Sequence, residues 1–138
     1  MKTSKTTIIE INKKKIGNEQ PVYIIAEIGI NHNGSLEIAK KLIDVAVVAK
    51  VDAVKFQKRD INSLYKEDVL KNPNIDSQGL EILLNVLNEV EFNNSDYEKI
   101  IQYCNDSGIT FLCTAWDKKS VDFRSEERRV GKECRSRW

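Results

Sequence analysis

Apolar and polar positions alternate along the chain in a way that divides it into strand and helix segments. Residues 22–28 (VYIIAEI) are nearly continuous in apolar character, the pattern of a strand buried on both faces in a parallel sheet. After the loop GINHNG, Ser35 stands where a helix cap belongs, and Leu36, Ala39, Leu42, Ile43 and Ala46 recur at helical spacing. Glu37, Lys40, Lys41 and Asp44 fall on the opposite side, so one helix face is expected against the sheet. Residues 51–57 (VDAVKFQ) follow as a second strand, completing a strand–helix–strand unit of the size a right-handed crossover needs. A polar stretch, 58–77, contains Asn72-Pro73-Asn74 and leads to Leu80, Leu83, Leu84 and Leu87 at helical spacing. Ser95 and Glu98 then form an S-x-x-E capping box, with Tyr97, Ile100, Ile101 and Cys104 as the apolar stripe and Ser107-Gly108 as the stop. Residues 109–114 (ITFLCT) make the third strand. Ahead of all this, residues 6–16 (TTIIEINKKKI) alternate β-formers around a Lys and Asn cluster, which predicts a short capping hairpin.

Parallel strands alternating with helices define an α/β class, either an open doubly wound sheet or the beginning of a (β/α)8 TIM barrel. A barrel takes about 250 residues, so a body ending near 123 holds its first half only. The expected organisation is a β-hairpin in 1–20, a partial barrel in 21–123 and a foreign tail in 124–138. The gap between strands two and three is about twice that between strands one and two, so the helix at 80–87 is an insertion or belongs with a strand the pattern does not reveal. The tail, RSEERRVGKECRSRW, carries six basic and three acidic residues and no apolar period. It resembles the translation of a sequencing-library adapter joined in frame and is set aside from the fold.

Charge and composition then narrow the function classes. With 22 Lys and Arg against 21 Asp and Glu, the formal charge is +1, which gives no broad electrostatic case for nucleic acid or an anionic membrane as partner. The first residues lack the apolar core of a signal peptide and no run reaches the length of a membrane span, so the cytoplasm is the expected compartment. Three cysteines without a CxxC pair read as reduced thiols, and a lone histidine, His32, cannot make a multi-histidine metal site.

Ligands in both candidate architectures bind beyond the carboxyl ends of the strands. With period two, Lys55 and Gln57 share one face of strand two and end it together, Glu27 ends strand one and Thr114 ends strand three. An ammonium, an amide, a carboxylate and a hydroxyl at neighbouring strand ends suit a small, polar, anionic substrate. A structural role competes with this. Thr114 could simply meet solvent or cap a helix, and Lys55, between Val54 and Phe56, requires an anionic partner, either Glu27 or a ligand phosphate. A purely internal Glu27–Lys55 ion pair satisfies both charges.

The run PVYIIAEIGINHNGSLEIAKKLIDVAVVAKVDAVKFQ, continued by DYEKIIQYC and GITFLCTAWD, resembles the opening of the sialic acid synthase family, the NeuB-type N-acetylneuraminate and nonulosonic acid synthases. The resemblance covers residues 21–123. It implies a (β/α)8 barrel enzyme that condenses phosphoenolpyruvate with an N-acetylated amino sugar such as N-acetylmannosamine and releases phosphate, using a divalent metal, commonly manganese, in a homodimer. Lys55 and Thr114 match positions near phosphoenolpyruvate; Gln57 and Glu27 match positions facing the sugar, with Glu27 a catalytic candidate for orienting it or moving a proton. Asn31, His32 and Asn33 belong to the signature loop, which they are expected to hold or to shape as a substrate mouth. The family's metal ligands are histidines on later strands, so no metal ligand is assigned here. Lys50 stands where members usually have Gly, CTAWD replaces an STPFS-like form, and the family's carboxyl-terminal antifreeze-like domain is not within these residues. Two other readings are a different phosphoenolpyruvate or aldol-type barrel enzyme and a non-catalytic half-barrel interaction module.

Overall fold

The computed structural model describes residues 8–71 and 80–130. Thr6 and Thr7 of the expected hairpin, the Asn72-Pro73-Asn74 segment and the tail beyond Val130 with Cys134 lie outside them. Strands β1 (Ile9–Ile11) and β2 (Lys14–Ile16) pair antiparallel around a two-residue turn in which Asn12 and Lys13 both take positive φ, the backbone a type I′ hairpin turn needs. The hairpin docks on the amino end of a parallel sheet. Lys14 pairs with Asp52, and Asn12 Nδ2 donates to Thr110 Oγ1 at 2.9 Å. The bond from Lys14, followed by one from the Ile24 N–H, holds the Asp52 carboxyl below its ordinary range.

The sheet contains β3 (Ile25–Gly29), β4 (Ala53–Lys58) and β5 (Thr110–Ala115) in that spatial order. Helix α1 (Leu36–Val48) links the first pair, with Ser35 accepting from the Ile38 N–H as the sequence predicts and Ala39, Ile43 and Ala46 buried. Its end has a left-handed Lys50 at φ 57°. The Lys50 N–H reaches the Val47 carbonyl and the Val51 N–H the Ala46 carbonyl, the two bonds of a Schellman motif.

Between β4 and β5 run α2 (Ile61–Leu64), α3 (Glu67–Lys71), α4 (Leu80–Val90) and α5 (Asn94–Asp106). β4 and β5 are neighbours in the sheet, so α4 is an extra helix within a single crossover. Its Leu84 and Leu87 pack with Ile61 in a satellite cluster; Val90 is buried too, while Leu83, expected on the apolar side, is largely exposed. The start of α5 differs from the expected capping box. Asn93, extended at φ −75° and ψ 171°, is the cap, and its side chain accepts from the Asp96 N–H at 3.0 Å. Asn caps as well as Ser, and it is positioned two residues earlier, so Ser95 and Glu98 sit inside the first turns, exposed. The stripe of Tyr97, Ile100 and Cys104 is buried, and Gly108 at φ 71° ends the helix. Helix α6 (Lys118–Val130) closes the described chain.

One face of the sheet carries the core. Ile28, Val54, Phe56 and Cys113 meet Ala39, Ile43, Tyr97, Ile100 and Cys104 from the helices. Cys104 and Cys113 are buried without a disulfide, and burial pushes the Cys104 thiol up to about 12. The opposite face is open. Here the expectation of a first strand buried on both sides is corrected: Val22 and Ile24, ahead of the strand, are exposed, and so is Ile25, which stands on the open face of the edge strand β3, where none of the described helices packs.

Candidate functional site

Parallel register aligns the strand-end groups. Glu27 pairs with Lys55, Lys55 with Leu112, and Gln57 with Thr114 across the three strands. Since side chains of paired residues stand on one face, all four predicted residues point to the open side. Lys55 Nζ lies 2.6 Å from Glu27 Oε2, with side chains 36% and 45% exposed. The ion pair anticipated as the structural alternative is therefore present. Half exposure leaves it reachable and keeps its own contribution to stability small.

Between Glu27 and Gly29 the register slips by one residue, a bulge at which core-facing Ile28 is left without a pair and Gly29 takes a φ of 57°. A Cβ at Gly29 would lie 3.4 Å from Gln57 Nε2 and 3.8 Å from Glu27 Oε1. The glycine thus leaves a small space on which an amide donor and a carboxylate acceptor converge beside an ammonium. Thr114, exposed at the end of β5, stands across from Gln57 in register.

The signature loop is structural in its contacts. His32 is 1% exposed, stacks on Phe92 with centroids 4.0 Å apart and lies near Phe56. Its Nδ1 accepts from the Gly34 N–H at 3.2 Å, and burial lowers its pKa to about 4, so the ring is neutral at pH 7. Gly34, at φ 71°, is pressed against α4: a Cβ there would meet the Glu89 carbonyl oxygen at 2.7 Å. The loop's small, left-handed residues thereby fasten β3 to the inserted helix, and Asn33 (φ 50°) shares that conformation.

Several residues at the same strand ends escape a reading that stops at Gln57. Lys58 is buried, its Nζ 4.5 Å from the centre of the Tyr97 ring and 4.8 Å from that of Phe123. Arg59 is buried over the Trp116 ring at 4.6 Å. Glu91, just past the end of α4, accepts from the Arg59 backbone N–H at 3.1 Å, and its burial pushes its carboxyl upward. Tyr97 donates its hydroxyl to the Gln57 carbonyl at 2.6 Å, while burial, followed by the Glu91 charge, drives its pKa well above the ordinary range. Asp117 accepts from the Asp60 N–H at 2.6 Å and from both the N–H and hydroxyl of Ser120, tying the β4 and β5 exits together. The CTAWD sequence thus has a local role: Trp116 covers Arg59 and Asp117 locks the loops. A period-two count carried one step past the strand, from Gln57 to Arg59, would have found the arginine.

Among the described residues, no three His, Cys, Asp or Glu side chains gather to hold a metal ion. Glu27, the carboxylate closest to the strand-end space, is already engaged by Lys55. The described residues therefore form no metal-ligand set by themselves, and the family resemblance implies ligands on later strands. No helix among the described residues is long and apolar enough to cross a membrane.

A parallel α/β sheet with polar groups gathered at its carboxyl ends is the form in which a (β/α)8 barrel opens and places its site. The residue pattern of the NeuB family matches residues 42–130, and the chain belongs to that family. It is 34% identical over 113 residues to the spore coat polysaccharide biosynthesis protein SpsE of Bacillus subtilis, covering 82% of this chain and 30% of that protein. It is also 34% identical over 118 residues to the N,N'-diacetyllegionaminic acid synthase of Legionella pneumophila, covering 80% and 32%. The fold is similar to the crystal structure of N-acetylneuraminic acid synthetase from Leptospira borgpetersenii, with a TM-score of 0.71 and 29% identity over 88% of this chain and 38% of that one. The chain spans about a third of the length of these curated relatives, at 30% and 32%.

Proposed function

We propose that the chain is the amino-terminal part of a cytoplasmic nonulosonic acid synthase that joins phosphoenolpyruvate to an N-acetylated amino sugar and releases phosphate. The observation that carries this is the convergence of Lys55, Glu27 and Gln57 around the space left by Gly29. In the reaction the nucleophilic methylene carbon of phosphoenolpyruvate attacks the open-chain sugar aldehyde, the aldehyde oxygen takes a proton, water adds to the oxocarbenium-like carbon, and phosphate departs. Lys55 has donors beyond the one facing Glu27 and supplies positive charge for the phosphoenolpyruvate anion. Thr114 stands nearby as a hydroxyl partner. Gln57 and the second oxygen of Glu27 face the sugar, where Glu27 orients a hydroxyl or moves a proton. A divalent metal, proposed to be manganese, would polarise the sugar carbonyl when bound, with its ligands drawn from histidines outside this chain. The assembled enzyme is proposed to be a homodimer, and the 138-residue chain alone is proposed to be inactive.

The test begins at the source DNA. The locus is extended by independent amplification past the codon for Phe123, and the longer product is assayed for phosphate release that requires both phosphoenolpyruvate and an amino sugar. N-acetylmannosamine and di-N-acetylated deoxy sugars are the acceptors to compare. Glu27→Gln is expected to lower turnover about a hundredfold or more; near-wild-type turnover rejects the role given to Glu27. Activity with another aldehyde but no N-acetylated sugar rejects the acceptor and favours a different phosphoenolpyruvate or aldol-type barrel. A natural stop after Trp138 rejects the synthase reading and favours an interaction module.

A further inference from the structure

The row Ala53, Lys55, Gln57 does not end with β4. Arg59 continues it just beyond the strand, and Arg59 Nη2 donates to Gln57 Oε1. Three constraints hold the guanidinium in place. Its side chain is 7% exposed, its Cζ lies 4.6 Å from the centre of the Trp116 ring, and Glu91 Oε2 stands 3.8 Å from Nη1. The pairing with Glu91 is loose, since Arg59 Nη1 and Glu91 Oε2 are both buried without a hydrogen bond among the described residues. The bond to Gln57 is therefore the directional one.

A primary amide can present either end to a ligand, because its oxygen accepts and its nitrogen donates. A guanidinium has only donors, so the end of Gln57 that meets Arg59 must be the oxygen. The nitrogen then lies at the Gly29 space, 3.4 Å from where a Cβ would be, facing the same point as Glu27 Oε1. Tyr97 fixes the backbone of the same glutamine through its carbonyl.

We propose that Arg59 is a positioning residue that sets the amide of Gln57, so that the site offers the sugar one donor, Gln57 Nε2, beside one acceptor, Glu27 Oε1. This deepens the synthase reading and rests on it. The ligand group that fits is an oxygen acceptor next to a hydroxyl donor, as an N-acetyl carbonyl and a neighbouring sugar hydroxyl provide. Trp116 serves the same end by covering the guanidinium and excluding water from it.

The experiment uses the longer synthase, with separate kinetics for the two substrates. Arg59→Lys keeps the charge but loses the planar fork, and it is expected to raise KM for the amino sugar about tenfold, as for one well-placed hydrogen bond. KM for phosphoenolpyruvate is expected to move much less. Gln57→Glu, which keeps an acceptor for Arg59 but removes the donor, is expected to raise the sugar KM similarly, and the double variant to be no worse than the single ones. Equal changes in both KM values, or additive effects in the double variant, overturn the proposal. If the arginine variants do not fold, a crystal structure of the wild-type synthase with the amino sugar decides. Gln57 bonded to Arg59 through one end and to a sugar oxygen through the other supports the proposal, and Gln57 turned away from Arg59 overturns it. Absence of any synthase activity in the wild type rejects the parent reading instead, and the Arg59–Gln57 bond is then read from the unliganded crystal structure, where its absence overturns the positioning role.

Discussion

Val54 and Phe56 on the helix side of β4 have no solvent exposure, whereas Lys55, between them in sequence, keeps more than a third of its side chain in contact with solvent on the other side. The two faces are made by the same backbone and differ only in what lies over them. On the helix side, α1 and α5 press Ile43, Tyr97 and Ile100 against the strands, and burial of apolar area stabilises the fold. On the open side, two opposite charges neutralise each other while remaining accessible, a state that contributes little to folding and leaves them usable. Packing and accessible charge are thereby sorted onto alternate residues of one strand.

The sharpest way to break that division is a pair of neighbouring substitutions. Phe56→Ala removes a fully buried ring and is expected to cost about 3–5 kcal/mol in chemical denaturation. Lys55→Met leaves Glu27 half exposed and is expected to change stability by less than about 1 kcal/mol, while under the proposed function it abolishes use of phosphoenolpyruvate by the longer protein. Comparable losses of stability in the two variants would show that the open face is part of the core after all.

A second way uses pH, because the helix side contains one buried titratable ring. His32 has its pKa lowered from 6.5 to about 4 by burial between Phe92 and Phe56. Below pH 6.5 the unfolded chain takes up a proton that the folded chain refuses, so stability falls as pH drops from 6.5 and the loss is complete below about 4. The total is about 3 kcal/mol, from a shift of that size at about 1.4 kcal/mol per unit. Denaturation midpoints measured across this window should fall in the wild type and fall less in His32→Asn, which keeps an acceptor for the Gly34 N–H. An unchanged slope in the variant would place the acid sensitivity elsewhere. Gly34→Ala tests the same loop without titration. A left-handed residue whose Cβ meets the Glu89 carbonyl oxygen at 2.7 Å is expected to cost about 2 kcal/mol or more, with the strand-end groups undisturbed.

These sites differ in how visible they are in the sequence. The parallel order, α1 with its Ser35 cap, and the shared face of Lys55 and Gln57 follow from period counting, because a two-residue or 3.6-residue repeat is a local property. The Glu27–Lys55 pair was also legible, since a lysine between Val54 and Phe56 demands an anion. What is not legible depends on contacts between segments distant in sequence. Glu91 reaches Arg59 from just past the end of α4, Trp116 covers the same arginine from just beyond β5, and Asn93 displaces Ser95 as a cap through a choice between equally competent residues. The exposure of Ile25 is likewise set by the position of β3 at the sheet edge, which no periodicity encodes.

The smallest expected effect separates the two faces most cleanly, because it alters neither. Helices α1 and α5 end in the same motif, with the residue after the cap left-handed and two backwards bonds from the residues that lead into the next strand. In α5 that position is Gly108, and nothing lies within 4 Å of where its Cβ would be. In α1 it is Lys50, at φ 57°, where the side chain makes the left-handed backbone costly. Lys50→Gly is therefore expected to stabilise the chain by about 1 kcal/mol, and Gly108→Ala to destabilise it by about the same amount, both read as shifts in denaturation midpoint. Both positions lie at the amino ends of the strands, remote from Glu27, Lys55 and Gln57, so synthase turnover should not follow the shift. If turnover rose and fell with stability across this pair, the open face would depend on the packed one more tightly than its exposed ion pair suggests.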